Sequence, residues 1–198
     1  MSGPAALIVF IKNPVLGRVK TRIAATAGEV PALQIYQQLL EITRKQCADY
    51  LGTKYLFYSD FIELFDAWDP NIFIKKLQSG NDLGLRMHNA FSEVFQKHSK
   101  VIIIGSDCPY LTSQHIEQAN SILDTADCVI GPALDGGYYL LGLNSIHERL
   151  FQNKNWSSST VLKDSLVDLK QLNLSYQLME SLEDVDSLEA WNRYQKRN

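Results

Sequence analysis

Short apolar runs bounded by turn residues alternate along this chain with segments whose apolar residues recur every three or four positions, which predicts strands interleaved with helices. Val101-Ile102-Ile103-Ile104 stops at Gly105 and reads as a strand buried on both faces; Ala-Leu-Ile-Val-Phe-Ile over 6–11 and Asp-Cys-Val-Ile-Gly over 127–131 read the same way. Residues 54–58, 71–77, the run from Tyr138 to Leu143 and residues 175–179 supply further strands. Leu33, Tyr36, Leu39, Leu40, Thr43 and Cys47 fall at helical spacing and predict a long amphipathic helix over 29–50. Residues 61–68 predict a short helix broken before Pro70. Further helices are predicted over 85–98, from a cap at Thr112 or Ser113 through Ile116, Ala119 and Leu123, over 146–151, and over 161–172 behind the polar loop 155–160. A last helix starts at Asp186 or Ser187, with Glu189 in its first turn. No repeat, low-complexity tract or linker interrupts residues 1–198, so they are expected to form a single α/β domain.

Composition narrows the picture. The chain has 198 residues, a net charge of -3 and a sequence pI near 5.8, which gives no sign of nucleic-acid or membrane-surface binding. Three widely spaced cysteines form neither a disulfide framework nor a CxxC metal pattern, and a reducing, cytoplasmic setting is the expectation. The apolar start over 4–11 is too short to span a membrane and lacks the basic flank of a signal peptide. Histidines 88, 98, 115 and 147 show no ligand spacing, and without a GxGxxG fingerprint a nicotinamide-dependent oxidoreductase is disfavoured.

The candidate chemistry sits directly after predicted strands, where ligands bind in open α/β sheets. Lys12, Gly17, Arg18, Lys20 and Arg22 follow the first strand; four cations and a glycine suit polyphosphate, although a solvated basic loop would use the same residues. Asp107 follows the central strand and either makes the turn or faces the site. Gly80 and Gly84 bracket Asp82 and Leu83 in a loop that could lie flat against a planar base or simply enter the next helix. Asp135, Gly136, Gly137 and Tyr138 fit a bland hairpin or an acceptor-binding wall with Asp135 at its mouth. Asp184 and Asp186 cap a helix or join Asp107 on a hard cation, since Mg²⁺ commonly takes one or two carboxylates plus substrate phosphates.

Five blocks in one order carry a resemblance: FIKNPVLGRVKTR, QSGNDLGLRM, GSDCPYL, PALDGGYYLLGL and DVDSLE, spread from Phe10 to Trp191. Together they resemble the DUF2064 family of glycosyltransferase-like proteins, itself similar to the GT-A nucleotide-diphospho-sugar transferases. The resemblance implies a three-layer α/β/α sandwich with a mostly parallel central sheet. It also implies that Gly17, Arg18 and Lys20 hold nucleotide phosphates, with Lys12 and Arg22 beside them. Gly80, Leu83 and Gly84 would lie near the base, and Asp107 with Asp186 or Asp184 would hold Mg²⁺ or Mn²⁺. Ser106-Asp107-Cys108 stands where many GT-A glycosyltransferases carry Asp-x-Asp, which tilts the expectation toward nucleotidyl transfer with Lys20, Arg18, Asp107 and Asp135 as the reacting machinery. Two alternatives stay open: a glycosyltransferase with Asp135 as base, and a catalytically silent nucleotide-binding domain. The expected partners are a nucleotide or nucleotide sugar and a small-molecule acceptor.

Overall fold

The computed structural model describes residues 3–156 and 158–197. Seven strands form one sheet in the order β3-β2-β1-β4-β6-β5-β7. Strand β1 (Ala6–Ile11) pairs in parallel with β2 (Lys54–Tyr58) on one side and β4 (Val101–Ile104) on the other. Outside β2 lies β3 (Phe73–Leu77), also parallel. Beyond β4, β6 (Tyr138–Leu143) runs antiparallel to both β4 and β5 (Cys128–Pro132), and β7 (Tyr176–Leu178) closes the far edge parallel to β5.

Side chains of successive strand residues point to opposite faces, so the buried strands feed two apolar layers. Leu7, Val9, Ile11, Leu56, Ile102 and Ile104 pack with Ile23 of α1 (Thr21–Ala27), Ile35 and Leu39 of α2 (Glu29–Ala48), Ile116 of α4 (Ser113–Ile122) and Trp191 of α6 (Leu188–Gln195). Ala6, Ile8, Phe57, Ile103 and Leu141 face the other way, onto Met87 and Phe91 of α3 (Leu83–Phe95), Leu169 of α5 (Val161–Gln171) and Phe151 of the 3₁₀ turn Glu148–Phe151. This is the expected α/β/α sandwich. From β1 the chain passes through α1 and α2 toward β2, and from the neighbouring β4 through α4 toward β5 on the other side, so it leaves the two strands in opposite directions along the sheet and a crevice opens at their carboxyl ends. No helix among the described residues is long and apolar enough to cross a membrane.

Three local expectations change. Residues 61–68 are not helical. Carboxylates accept from the backbone two residues on instead: Glu63 from Phe65 N at 3.0 Å, Asp66 from Trp68 N at 3.0 Å and Asp69 from Asn71 N at 2.8 Å. Such Asx-type bonds compete with helical ones. Arg22 lies not in a loop but on α1, a seven-residue helix too short for its periodicity to register. Leu83 and Gly84 belong to the first turn of α3, whose cap is Asp82 accepting from Leu85 N at 2.8 Å. In the polar loop 155–160, Ser157 lies outside the described residues.

Candidate active site

The crevice holds a cleft of about 990 Å³. Of the residues singled out from sequence, Lys12, Arg18, Arg22, Leu83, Asp107, Asp135, Gly137, Tyr138, Asp184 and Asp186 line it. Gly17, Lys20, Gly80, Gly84 and Gly136 do not line it; they shape or underlie its walls. Gly84 is buried, and a Cβ there would overlap the Phe151 carbonyl and the Trp156 indole, so its absence lets Trp156 lie against α3. Gly136, at φ 93°, packs against the Ser159 backbone, while its carbonyl accepts from Leu162 N at 2.9 Å.

Lys20 joins three segments. Its backbone is left-handed (φ 47°, ψ 47°), a conformation costing a non-glycine residue about 1–2 kcal/mol. Its side chain is 5% exposed, with Nζ 2.7 Å from Asp107 Oδ1, 2.6 Å from the Val185 carbonyl and 3.4 Å from Asp186 Oδ1. Arg22 reaches Asp186 from the exposed side at 3.3 Å. Backbone bonds dock the acidic loop independently: Val185 N donates to the Asp107 carbonyl at 2.8 Å, and Leu134 N to the Leu182 carbonyl at 3.0 Å. Residues about 80 and 165 positions apart thereby form one electrostatic unit.

Within that unit Asp184 is the anomaly. Its Oδ1 is buried with no hydrogen-bond partner among the described residues, and its carboxyl is pushed up to about 7. Burial is the main cause, followed by the charges of Asp107 and Asp135; Lys20 pulls the other way, and Asp186 adds a further rise. Burial likewise raises the adjacent Cys108 thiol, as do the charge of Asp184 and a hydrogen bond with it. Among the described residues, no group of three histidine, cysteine or carboxylate side chains forms a ready-made metal cage. An orphaned buried oxygen facing a second carboxylate nevertheless fits a hard divalent cation that completes its shell with phosphates and water. The hairpin carboxylate, Asp135, is turned into its own turn, with Oδ1 accepting from Gly137 N at 2.9 Å.

Several residues at the cleft escape sequence reasoning. Tyr36, one position in a helical stripe, brings its hydroxyl to the β1 and β4 ends: it accepts from Lys12 N at 2.8 Å and lies 3.2 Å from Ser106 Oγ. Burial, then the charge of Asp107, raises its pKa. Asn13, 2% exposed, clamps the turn after β2 by accepting from Asp60 N at 3.0 Å and Phe61 N at 3.3 Å and donating to the Phe61 carbonyl at 2.9 Å. Trp156 meets Tyr138 edge-on at 6.5 Å in the opposite wall. A polar tip on an apolar stripe was the only sequence signal for Tyr36; for Asn13 and Asp60 there was none beyond ordinary turn chemistry.

This architecture is the nucleotide-diphospho-sugar transferase fold. A crystal structure from Desulfovibrio desulfuricans G20, of a protein provisionally described as a nucleotide-diphospho-sugar transferase, superposes with a TM-score of 0.90 at 26% identity, covering 98% of this chain and 87% of that one. The inositol-1-phosphate CTP transferase of T. maritima gives 0.60 at 13% identity, covering 100% and 96%. Rv0371c of Mycobacterium tuberculosis H37Rv in complex with manganese gives 0.57 at 10%, covering 99% and 100%. No curated protein matches the sequence. The family model described as uncharacterized protein conserved in bacteria, DUF2064, matches residues 42–158, and the chain belongs to that family.

Proposed function

We propose that residues 1–198 form one nucleotide-binding transferase domain that moves a nucleotidyl group from a nucleoside triphosphate to a phosphate-bearing small molecule. The observation that carries this reading is the gathering of Lys12, Arg18 and Arg22 with Asp107, Asp184 and Asp186 in one crevice at the β1 and β4 ends. Guanidinium and ammonium groups there bind and orient the triphosphate. Lys20 neutralises Asp107 from beneath and fixes the direction of its free oxygen. Asp107 and Asp184, with Asp186 beside them, would hold Mg²⁺ or Mn²⁺, which when bound neutralises charge developing on the phosphates. An acceptor phosphate oxygen bonds to the α-phosphorus, the bond from that phosphorus to the bridging oxygen breaks, and pyrophosphate leaves. The attacking group is already anionic, so no protein base is required.

That last point favours nucleotidyl over glycosyl transfer, since Asp135, the candidate base for an acceptor hydroxyl, has one oxygen engaged in its own turn. The glycosyltransferase reading rests on Asp135 lying beside Tyr138 and Trp156, a wall suited to a sugar-like acceptor. The three cysteines are free and buried, which supports a reducing setting such as the cytoplasm.

The deciding measurement is product release from nucleoside triphosphates and nucleotide sugars with a panel of sugar and polyol phosphates and Mg²⁺. Pyrophosphate is expected, with Lys20→Ala and Asp107→Ala each slowing its release by about 10²-fold or more. Nucleoside diphosphate without pyrophosphate would support glycosyl transfer, and equal rates in both variants would overturn the assignment of these residues. Tight nucleotide binding without turnover of any donor would leave a silent binding domain.

A further inference from the structure

The exposed apolar side chains are not spread evenly over the surface. Four fall within five positions of the segment after β2: Phe61, Ile62, Leu64 and Phe65, exposed by 48%, 40%, 70% and 95%. One exposed apolar residue is ordinary, whereas several together mark a surface that meets a partner. The segment is also pinned. Lys75 Nζ donates to the Glu63 carbonyl at 2.8 Å and meets Asp66 Oδ1 at 2.7 Å, the Tyr58 hydroxyl donates to Asp66, and the buried Trp68 packs edge-on against Phe73 with ring centroids 4.8 Å apart. Phe65 therefore stands in solvent on a fixed support, with little order left to lose on binding.

Beside it, between α2 and the same segment, lies a second cavity of about 330 Å³. Leu40, Tyr58, Ala67 and Trp68 line it, and the charges at its rim are already paired. Arg44 donates Nε and Nη2 to Glu41 at 2.9 and 2.8 Å, while Asp66 holds Lys75 and the Tyr58 hydroxyl. Such a pocket suits an apolar group better than a charged ligand. A cavity of roughly 150 Å³ accepts a benzene ring, so this one has room for an aromatic side chain. Phe65 of the same chain is not that group, because its ring stands in solvent.

We infer that this face is a two-fold interface between copies of the chain, with Phe65 of each copy seated in the pocket of the other. Knob and hole lie within a few residues of one another, so one two-fold rotation fills both pockets and leaves neither ring exposed. A head-to-tail contact would leave a free ring at one end and an empty pocket at the other. The charges agree: the rotation sets the α2 rim, where Arg44 and Lys45 outnumber Glu41, against a segment where Glu63, Asp66 and Asp69 outnumber Lys75. The area also suffices. At about 200 Å² for a fully exposed large side chain, the four apolar residues present roughly 500 Å² per copy, and a pair burying both patches reaches about 1,000 Å², the lower bound for a specific interface. The interface is independent of the nucleotide-binding reading.

Sedimentation velocity on the intact chain over about 1–300 µM tests it, a range suited to an interface at the small end of the specific class. A species of twice the 22.4 kDa chain mass is expected to grow in with concentration. Phe65→Asp, and Ala67→Trp, which fills the pocket from its rim, should each weaken dimerisation by about 100-fold or more, because an anchor removed from a two-fold pair is removed twice. Both positions are exposed, so melts followed by circular dichroism at a dilution where the parent is monomeric should match the parent's. Leu51→Asp, at an 88% exposed apolar position before β2 and outside the patch, should leave dimerisation unchanged. A monomer at the highest concentration, a dimer indifferent to both patch substitutions, a loss that Leu51→Asp shares, or species that keep growing past the dimer would each overturn the two-fold interface.

Discussion

Asn13 reaches the turn after β2 with both ends of its amide while only 2% exposed. Each backbone group it satisfies would otherwise be left without a partner or exposed to intruding water. Removing the amide therefore costs more than the hydrogen bonds' own worth: Asn13→Ala should lower unfolding free energy by about 2–4 kcal/mol, read as a shifted urea midpoint at unchanged slope. Lys20 shows the same economy of position, its left-handed backbone tolerated because Nζ meets a carboxylate, a carbonyl and a second carboxylate at once. At this scale the sequence was informative where the cleft lining is local. Asp107, Lys12 and Arg18 sit within a few residues of a strand end, so strand recognition alone located them. Tyr36, Ser106, Asn13 and Asp60 act through partners 24 to 70 residues away, and no spacing along the chain encodes such a contact.

At the scale of elements, the wall bearing Trp156 depends on one carboxylate of α5. Asp168 pairs with the buried Lys154 and, at 2.8 Å, with Arg149 of the 3₁₀ turn. Burial opposes its ionisation, but the hydrogen bonds and charges of Lys154 and Arg149 outweigh that and hold its carboxyl below the usual range. A depressed folded-state pKa contributes stability that is complete above the unfolded value, 3.8, and disappears as pH falls through the folded one. Urea midpoints measured from pH 6 down to pH 2 should fall less steeply in Asp168→Asn than in the parent, and at pH 7 the variant should be about 3 kcal/mol less stable because Lys154 is left buried and unpaired. Element prediction itself succeeded where periodicity ran long, as over α2 and the strands. It failed over 61–68, where side-chain carboxylates replaced helical bonds, and at α1, where seven residues were hidden by the cations that precede them.

Taken whole, the molecule places every segment of the cleft on the carboxyl side of one sheet, so nucleotide binding should couple to global stability. At a hundred times its dissociation constant a nucleotide with Mg²⁺ stabilises by about 2.7 kcal/mol, which for a chain of this size raises the melting temperature by about 5–10 °C. Differential scanning fluorimetry with and without EDTA checks this: the shift should shrink on chelation, since the cation that would neutralise the phosphates beside Asp107 and Asp184 is then removed. By itself the sequence determined the α/β class, most strand positions, the basic loop and the carboxylate after the central strand, because burial periodicity and turn chemistry are local properties of a chain. Only the tertiary structure decided that Lys20 lies beneath Asp107 rather than lining the cleft, that Gly84 is a packing glycine under Trp156, and that Asp184 carries the perturbed carboxyl. Those facts depend on which distant segments the sheet order brings within a few ångströms, and on how much water that packing excludes.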